Sequence, residues 1–502
     1  MAAVITASKH RLWLSVLVAV VLCILSAAAS ASTDAQALHV LNRLAFGPAP
    51  GDVQRVASVG VEQYIQQQLH PDSISLPAEL RQQLEALDTL QLSPTQLFDA
   101  YGPKRDADGA KLTPADRKAL RQHAKVILQQ AIEARLLRAI QSPRQLQEVM
   151  TAFWFNHFNV FAGKGLDYLW IGSYEATAIR PYALGHFHDL LMATAESPAM
   201  LFYLDNWLNT QPGAPRAKGR FQGINENYAR EVMELHTLGV NGGYTQNDVT
   251  TLAHILTGWG LCPPRGIFSR PGGFCFDPQR HDSDSQVFLG STIAGGGQQE
   301  IQQALDLLAY SPITARHLSY ELTQYFVADD PPPALVDRLT HTWMQSDGDI
   351  TAVLEELFES PEFWSAKYRG NKFKTPYEYV ISMARASGLH MTKVQAQSKI
   401  LAGMLARLGM PLYACATPDG YKNIQEVWLN PDAMMMRLSF AAFMGSGNTR
   451  LDTGDMDAHT RVTQLLDTLP GLLTATQLAS INSQPQALRA GLILGSPQFQ
   501  YR

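Results

Sequence analysis

A Ser-Pro step recurs six times along this 502-residue chain, at Ser93, Ser142, Ser197, Ser311, Ser360 and Ser496. Serine accepts backbone N–H bonds at a helix N-terminus, and proline fits the first helical position, where no N–H is needed. Ser142-Pro-Arg-Gln145 and Thr375-Pro-Tyr-Glu378 have the reciprocal capping-box form. Most of these steps follow helical patterns such as LLRAI, LDLLAY or VLEELF, and sustained alternating strand patterns are nearly absent. The expected fold class is therefore predominantly α-helical, a multi-helix globular assembly with long irregular loops and little or no sheet. The longest irregular stretches run over 101–113, 211–223, 262–297 and 415–431, and long loops on a helical scaffold often carry function.

The first thirty-odd residues read as an address. Lys9 and Arg11 precede an apolar run from Leu12 to Leu25, and Ala29-Ser30-Ala31 has the small residues of a cleavage site. The run is shorter than the roughly 20 residues a membrane span needs. Residues 1–31 are thus expected to be a signal peptide of the general secretory type, and the product to be periplasmic or extracellular. The remaining 32–502 segment exceeds an ordinary domain and allows two packed subdomains, about 32–300 and 301–502. It carries no membrane-spanning run. Cutting after Ala31 leaves 38 basic against 45 acidic residues, with no long basic run, which argues against nucleic acid as partner. Cys262 and Cys275 flank a Pro/Gly-rich segment, and in an oxidising compartment a disulfide is expected to close it. Cys415 is left over and reads as a buried free thiol.

Polar chemistry is densest from Asn225 to Trp259. Asn225, Glu226, Asn227, Arg230, Glu231, Glu234 and His236 crowd one short segment, treated as a helix over 225–237. Glu226, Arg230 and Glu234 then fall in one line at i, i+4 and i+8, flanked by Asn227 and Glu231. The line is either a salt-bridge ladder or a carboxylate site with Glu226, Glu231 or Glu234 as general acid or base. His236 and Asn225 project the other way, into the apolar arc. His236 is either a buried core histidine or a partner in catalysis. Gly239 is placed to end this helix, and Thr245 with Asp248 to cap the next.

Three further groups carry possible chemistry. FWFNHFNVF puts His157 one helical turn from Phe153 and Trp154, with Asn156 and Asn159 nearby; it reads as core, or as a sugar platform on Trp154 with Asn156 binding substrate. His281, Asp282 and Asp284 read as a solvated acidic loop, with a weak alternative as metal ligands. Lys372 and Lys374 precede the capped helix at Thr375; they are either surface lysines or an anion site. Walker, dinucleotide-binding, HExxH and Gly-x-Ser-x-Gly motifs are absent, so no cofactor is implied.

HVLNRLAFGPAPGDV, FWFNHF, NENYAREVMELHTLGVNGGYT, HILTGW, the His281-Asp282 step, YFVADDPP, LFESPEFW, KFKTPYEYV, PDGY and the C-terminal SPQF together resemble a bacterial family known as domain of unknown function 1800. Val232 and Asn241 depart mildly from its pattern, where leucine and aspartate are expected. The resemblance implies an exported, mostly helical protein, and carries over no catalytic residues. It also implies a partner, an exported protein of the sulfatase-like domain of unknown function 1501 family, and so work on polysaccharide. Two readings follow. One is an enzyme acting on a polysaccharide by carboxylate chemistry, with Glu226, Glu231, Glu234, His157 and His236 catalytic, and Trp154, Asn156, Asn227, Arg230, Lys372 and Lys374 holding substrate. The other is a non-enzymatic helical binding or assembly factor for that exported partner.

Overall fold

The computed structural model describes residues 33–102, 113–262, 273–447, 451 and 456–502. The expected signal peptide and most of the 101–113 stretch lie outside the described residues. The chain is predominantly α-helical, with two small two-stranded antiparallel ribbons among the described residues. The ribbons pair Trp259–Leu261 with Phe274–Phe276 and Gln286–Phe288 with Ser291–Ile293; all but the first of these strands lie inside the 262–297 stretch read as loop. Cys262 and Cys275 form a disulfide at the end of the first ribbon, and Cys415 is a buried free thiol. No described helix is long and apolar enough to cross a membrane.

Five of the six Ser-Pro steps open a helix or a 3-10 turn at the proline, four of them with the serine side chain accepting a backbone N–H. Ser142 is the exception. It terminates the long helix Pro114–Gln141, and the next helix begins only at Gln145. The expected capping box there does not form, because the Gln145 amide donates to the Ala139 and Ser142 carbonyls and accepts the Phe46 N–H. The box at Thr375 forms as expected.

The 28-residue helix Pro114–Gln141 packs against helices Ala78–Glu85, Gln145–His157, Pro376–Ala386 and Val394–Arg407. One continuous apolar cluster runs from Ala37 to Phe499. Residues far apart in the chain meet here: His39 Nε2 bonds the Phe363 carbonyl at 2.9 Å, and Arg385 donates to the Gly47 carbonyl at 2.8 Å and to Asp52 at 2.9 Å.

The polar helix is shorter than expected, spanning Asn227–Glu234. Asn225 lies in the turn before it, where its side-chain oxygen accepts the Asn227 N–H. Past Glu234 the backbone widens: the N–H groups of Leu235 and His236 both reach the Glu231 carbonyl, at 2.9 and 3.2 Å. This carries His236 into the core. Gly239 follows at φ 82°, and the helix Gln246–Ile255 starts at the Thr245–Asp248 capping box.

Candidate functional site

A cavity of about 310 Å³ opens where three elements meet: the C-terminal end of helix Gln145–His157, one face of helix Pro312–Phe326, and the loop 410–423. Helix Pro312–Phe326 presents His317, Glu321 and Tyr325 to it, spaced i, i+4, i+8, while Ala315, Leu318, Leu322 and Phe326 bury the other side. His157, the last residue of its helix, meets this line. Its Nδ1 lies 2.8 Å from Glu321 Oε2, and its Nε2 lies 3.2 Å from the His236 carbonyl oxygen. His317 approaches the other oxygen of Glu321, at 3.6 Å. One carboxylate thus stands between two imidazoles. Its side chain keeps 30% of its surface open, against 4% for His157, so it is Glu321 that a cavity ligand can reach.

The electrostatics separate the carboxylates here. Burial would raise the Glu321 pKa, but His157, by charge and hydrogen bond, and then His317 and Lys422 hold it below the usual range. Glu231 shifts the other way: burial raises it, and the neighbouring Glu234 and Asp419 charges add to this against the opposition of Arg230. Glu234 and Asp419 line the cavity, and Asp419 pairs with Lys422 at 2.7 Å. Burial, and then the proximity of His157, lower His317 and His236. For His317, Glu321 and a bond to the Leu235 backbone oppose this.

Buried ion pairs and ring contacts back the cavity. Arg135 lies 5.0 to 5.3 Å from the ring centres of Phe155, Tyr377 and Tyr413 and pairs with buried Glu175 at 3.0 Å. Arg180 also pairs with Glu175, at 3.0 Å, and with Glu148. Tyr413, in a left-handed conformation at φ 59°, donates its hydroxyl to Glu175. Asn156 latches the loop above: its amide donates to the Tyr421 carbonyl at 2.9 Å and accepts the Tyr421 N–H at 2.8 Å. Asn159 donates to the Cys415 and Thr417 carbonyls. Gly420 is required at this crossing, since a Cβ there would lie 2.3 Å from the Asn156 carbonyl oxygen.

Of the residues offered as catalytic or substrate-binding in the sequence, His157, Asn156 and Glu234 line this cavity, and Glu231 sits beside it. His236 is fully buried behind, its ring 4.8 Å from Phe158 and 5.8 Å from His157, with its Nε2 unpartnered among the described residues. It positions His157 through its carbonyl. Asn156 is a loop latch rather than a ligand group. Trp154 is no sugar platform: it has no exposed surface, and its indole N–H donates to the Ala183 carbonyl. Glu226 and Arg230 pair at 3.1 Å, and Gln246 and Thr250 also bond Glu226, so these residues form the joint between two helices. Asn227 donates to the Leu204 carbonyl.

Lys372 and Lys374 are neither surface lysines nor an anion site. Both are buried; Lys372 binds Asp329 and the Asn423 carbonyl, and Lys374 the Ser382 hydroxyl. Glu378 already accepts the Thr375 backbone N–H there. His281 and Asp282 are buried rather than solvated. His281 bonds Glu300 at 2.6 Å and Asp282 bonds His254 at 2.7 Å, while the Asp284 N–H caps Asp282. Among the described residues no group of three or more His, Cys, Asp or Glu side chains is arranged to hold a metal ion.

His317, Glu321 and Asp419 were missed in the sequence. The signal was available in ARHLSYELTQYF, where a polar line at helical spacing crosses an otherwise apolar helix. The partner of that line, His157, lies 164 residues away from Glu321, and nothing local joins them.

The fold and cavity define a helical protein with a carboxylate–imidazole site built from distant segments. The chain belongs to the family described as protein of unknown function DUF1800, whose model matches residues 39–501. No curated protein and no solved structure matches it.

Proposed function

We propose that this protein is an exported hydrolase acting on a polysaccharide, with the His157–Glu321–His317 cavity as its acid–base centre. The observation that carries the reading is an accessible carboxylate held between two imidazoles, in a cavity that also holds Glu234 and Asp419. Acid–base hydrolysis needs carboxyl groups whose environments push their proton affinities apart. Glu321 is held down and Glu231 is pushed up. In this reading Glu321 takes a proton from the attacking water. Glu231, whose proton affinity is raised, gives a proton to the leaving glycosidic oxygen as the C–O bond breaks. His157 and His317 orient the Glu321 carboxylate. The disulfide is consistent with export.

The test is release of reducing ends from a panel of neutral and acidic polysaccharides by the purified mature protein. Glu321→Gln should lower turnover by about 10²- to 10⁴-fold with helix content unchanged. Turnover that survives the substitution sinks the assignment.

One observation favours a second reading, a non-enzymatic assembly factor for an exported partner of the sulfatase-like kind. Exposed Met435, Leu438, Phe443, Leu488 and Leu492 cluster on the packed helices Pro431–Gly445 and Gln486–Leu494. No turnover on any glycan, together with a stoichiometric complex lost on Met435→Glu, would establish that reading instead.

A further inference from the structure

A second cavity of about 900 Å³ shares no lining residue with the first. Its volume falls in the upper part of the range for small-ligand sites. The disulfide-closed ribbon forms one wall, and the segment Asn206–Leu208 with the loop that follows forms another. Two stacked aromatic pairs line it. Phe202 and Trp207 lie 5.3 Å apart and 16° from parallel, and Phe98 and Trp170 lie 6.3 Å apart at 10°. The Trp207 indole N–H is buried and has no acceptor among the described residues.

The same cavity is cationic. Among the described residues four basic side chains line it, Arg216, Lys218, Arg220 and Arg280, against two acids, Asp99 and Asp277. Arg216 and Arg280 both pair with Asp277, at 3.1 and 3.4 Å. Among the described residues Arg220 has no carboxylate within ion-pairing distance; its guanidinium lies 4.6 Å from the Trp207 ring centre and 5.3 Å from that of Phe221. Lys218 and Arg220 are solvent-exposed.

We infer that this cavity binds an acidic oligosaccharide, a chain of sugar rings bearing carboxylate or sulfate groups. Sugar rings offer apolar faces to flat aromatic side chains, and their acidic groups pair with guanidinium and ammonium groups. The charge excess matches one or two acidic groups on a short segment. A nucleic acid strand would stack as well, but it brings a phosphate with every nucleotide and calls for a longer basic track than this wall supplies. The inference goes beyond the hydrolase reading and does not depend on it, because binding here requires no turnover at Glu321.

The experiment is isothermal titration of the full mature protein with tetragalacturonate, with neutral cellotetraose and with a single-stranded oligothymidine as comparisons. Tetragalacturonate should bind, quench tryptophan fluorescence, and weaken as salt rises. Lys218→Ala with Arg220→Ala, both on the surface and harmless to folding, should weaken it at least 10-fold. Glu321→Gln should bind as the unaltered protein does, which separates this site from the first. Equal binding of cellotetraose, tighter binding of the oligothymidine, an undiminished affinity in the double variant, or no heat with tetragalacturonate at millimolar concentration would each overturn the inference.

Discussion

His39 illustrates how a single buried group reports on the whole fold. It is buried against Phe363 and Trp364, and its Nε2 donates to the Phe363 carbonyl. Burial first, and the neighbouring Arg43 second, take its pKa down to about 3. The unfolded chain protonates this histidine near pH 6.5 while the folded chain keeps it neutral. Its contribution is therefore complete above pH 6.5 and is lost as pH falls toward the folded value, at about 1.4 kcal/mol per pH unit. Glutamine can still donate to the Phe363 carbonyl but does not titrate. The stability advantage of the native protein over His39→Gln should shrink by about 2 kcal/mol between pH 7 and pH 5, measured by urea unfolding. An advantage that stays constant or grows would contradict the neutral assignment. The same scale shows why residue type alone misplaced Trp154, Lys372 and Lys374. An aromatic or a lysine beside a polar motif looks available, yet each of these has its polar atom satisfied inside the protein.

Among the elements, the corner after helix Asn227–Glu234 ties local backbone chemistry to the site. Gly239 is left-handed at φ 82°, and a Cβ built on it would lie 3.0 Å from Nδ1 of His317. Gly239→Ala should therefore cost about 1–2 kcal/mol from backbone conformation alone. It should also displace His317 from Glu321, lowering turnover on a polysaccharide about 10-fold, a loss of roughly 1.4 kcal/mol in barrier terms. Chemical unfolding and steady-state rates measured on one preparation check both. A stable variant with full activity would mean that His317 does not orient the carboxylate. Much of this corner was legible in advance: the glycine stop, the Thr245 cap and the inward turn of His236 all follow from local rules. The end of the helix was not. Its widening after Glu234, with two N–H groups on the Glu231 carbonyl, answers to packing around Phe158 and His157 and has no signature in the residues themselves.

Across the whole molecule, Arg502 holds distant helices in register. Arg502 pairs with Glu378 at 2.7 Å, donates to the Tyr325 carbonyl at 2.9 Å, and lies 4.5 Å from the Tyr325 ring centre. Its backbone exchanges hydrogen bonds with Lys372. Glu378 and Tyr325 both line the first cavity. Arg502→Met would leave Glu378 buried beside an apolar chain and should cost about 3–5 kcal/mol in urea unfolding. A loss under about 1 kcal/mol would show that Glu378 finds another partner. What the sequence determined by itself was local: helical class from caps and apolar spacing, the disulfide from two cysteines flanking a Pro/Gly-rich segment, the family from its motifs. Those signals act over a few residues, so they survive without knowledge of the fold. Which polar residues face a common space was decided only by the tertiary structure. His157 meets Glu321 across 164 residues, and Asn156 meets Tyr421 across 265, through packing of helices whose apolar faces say that they are buried but not against what.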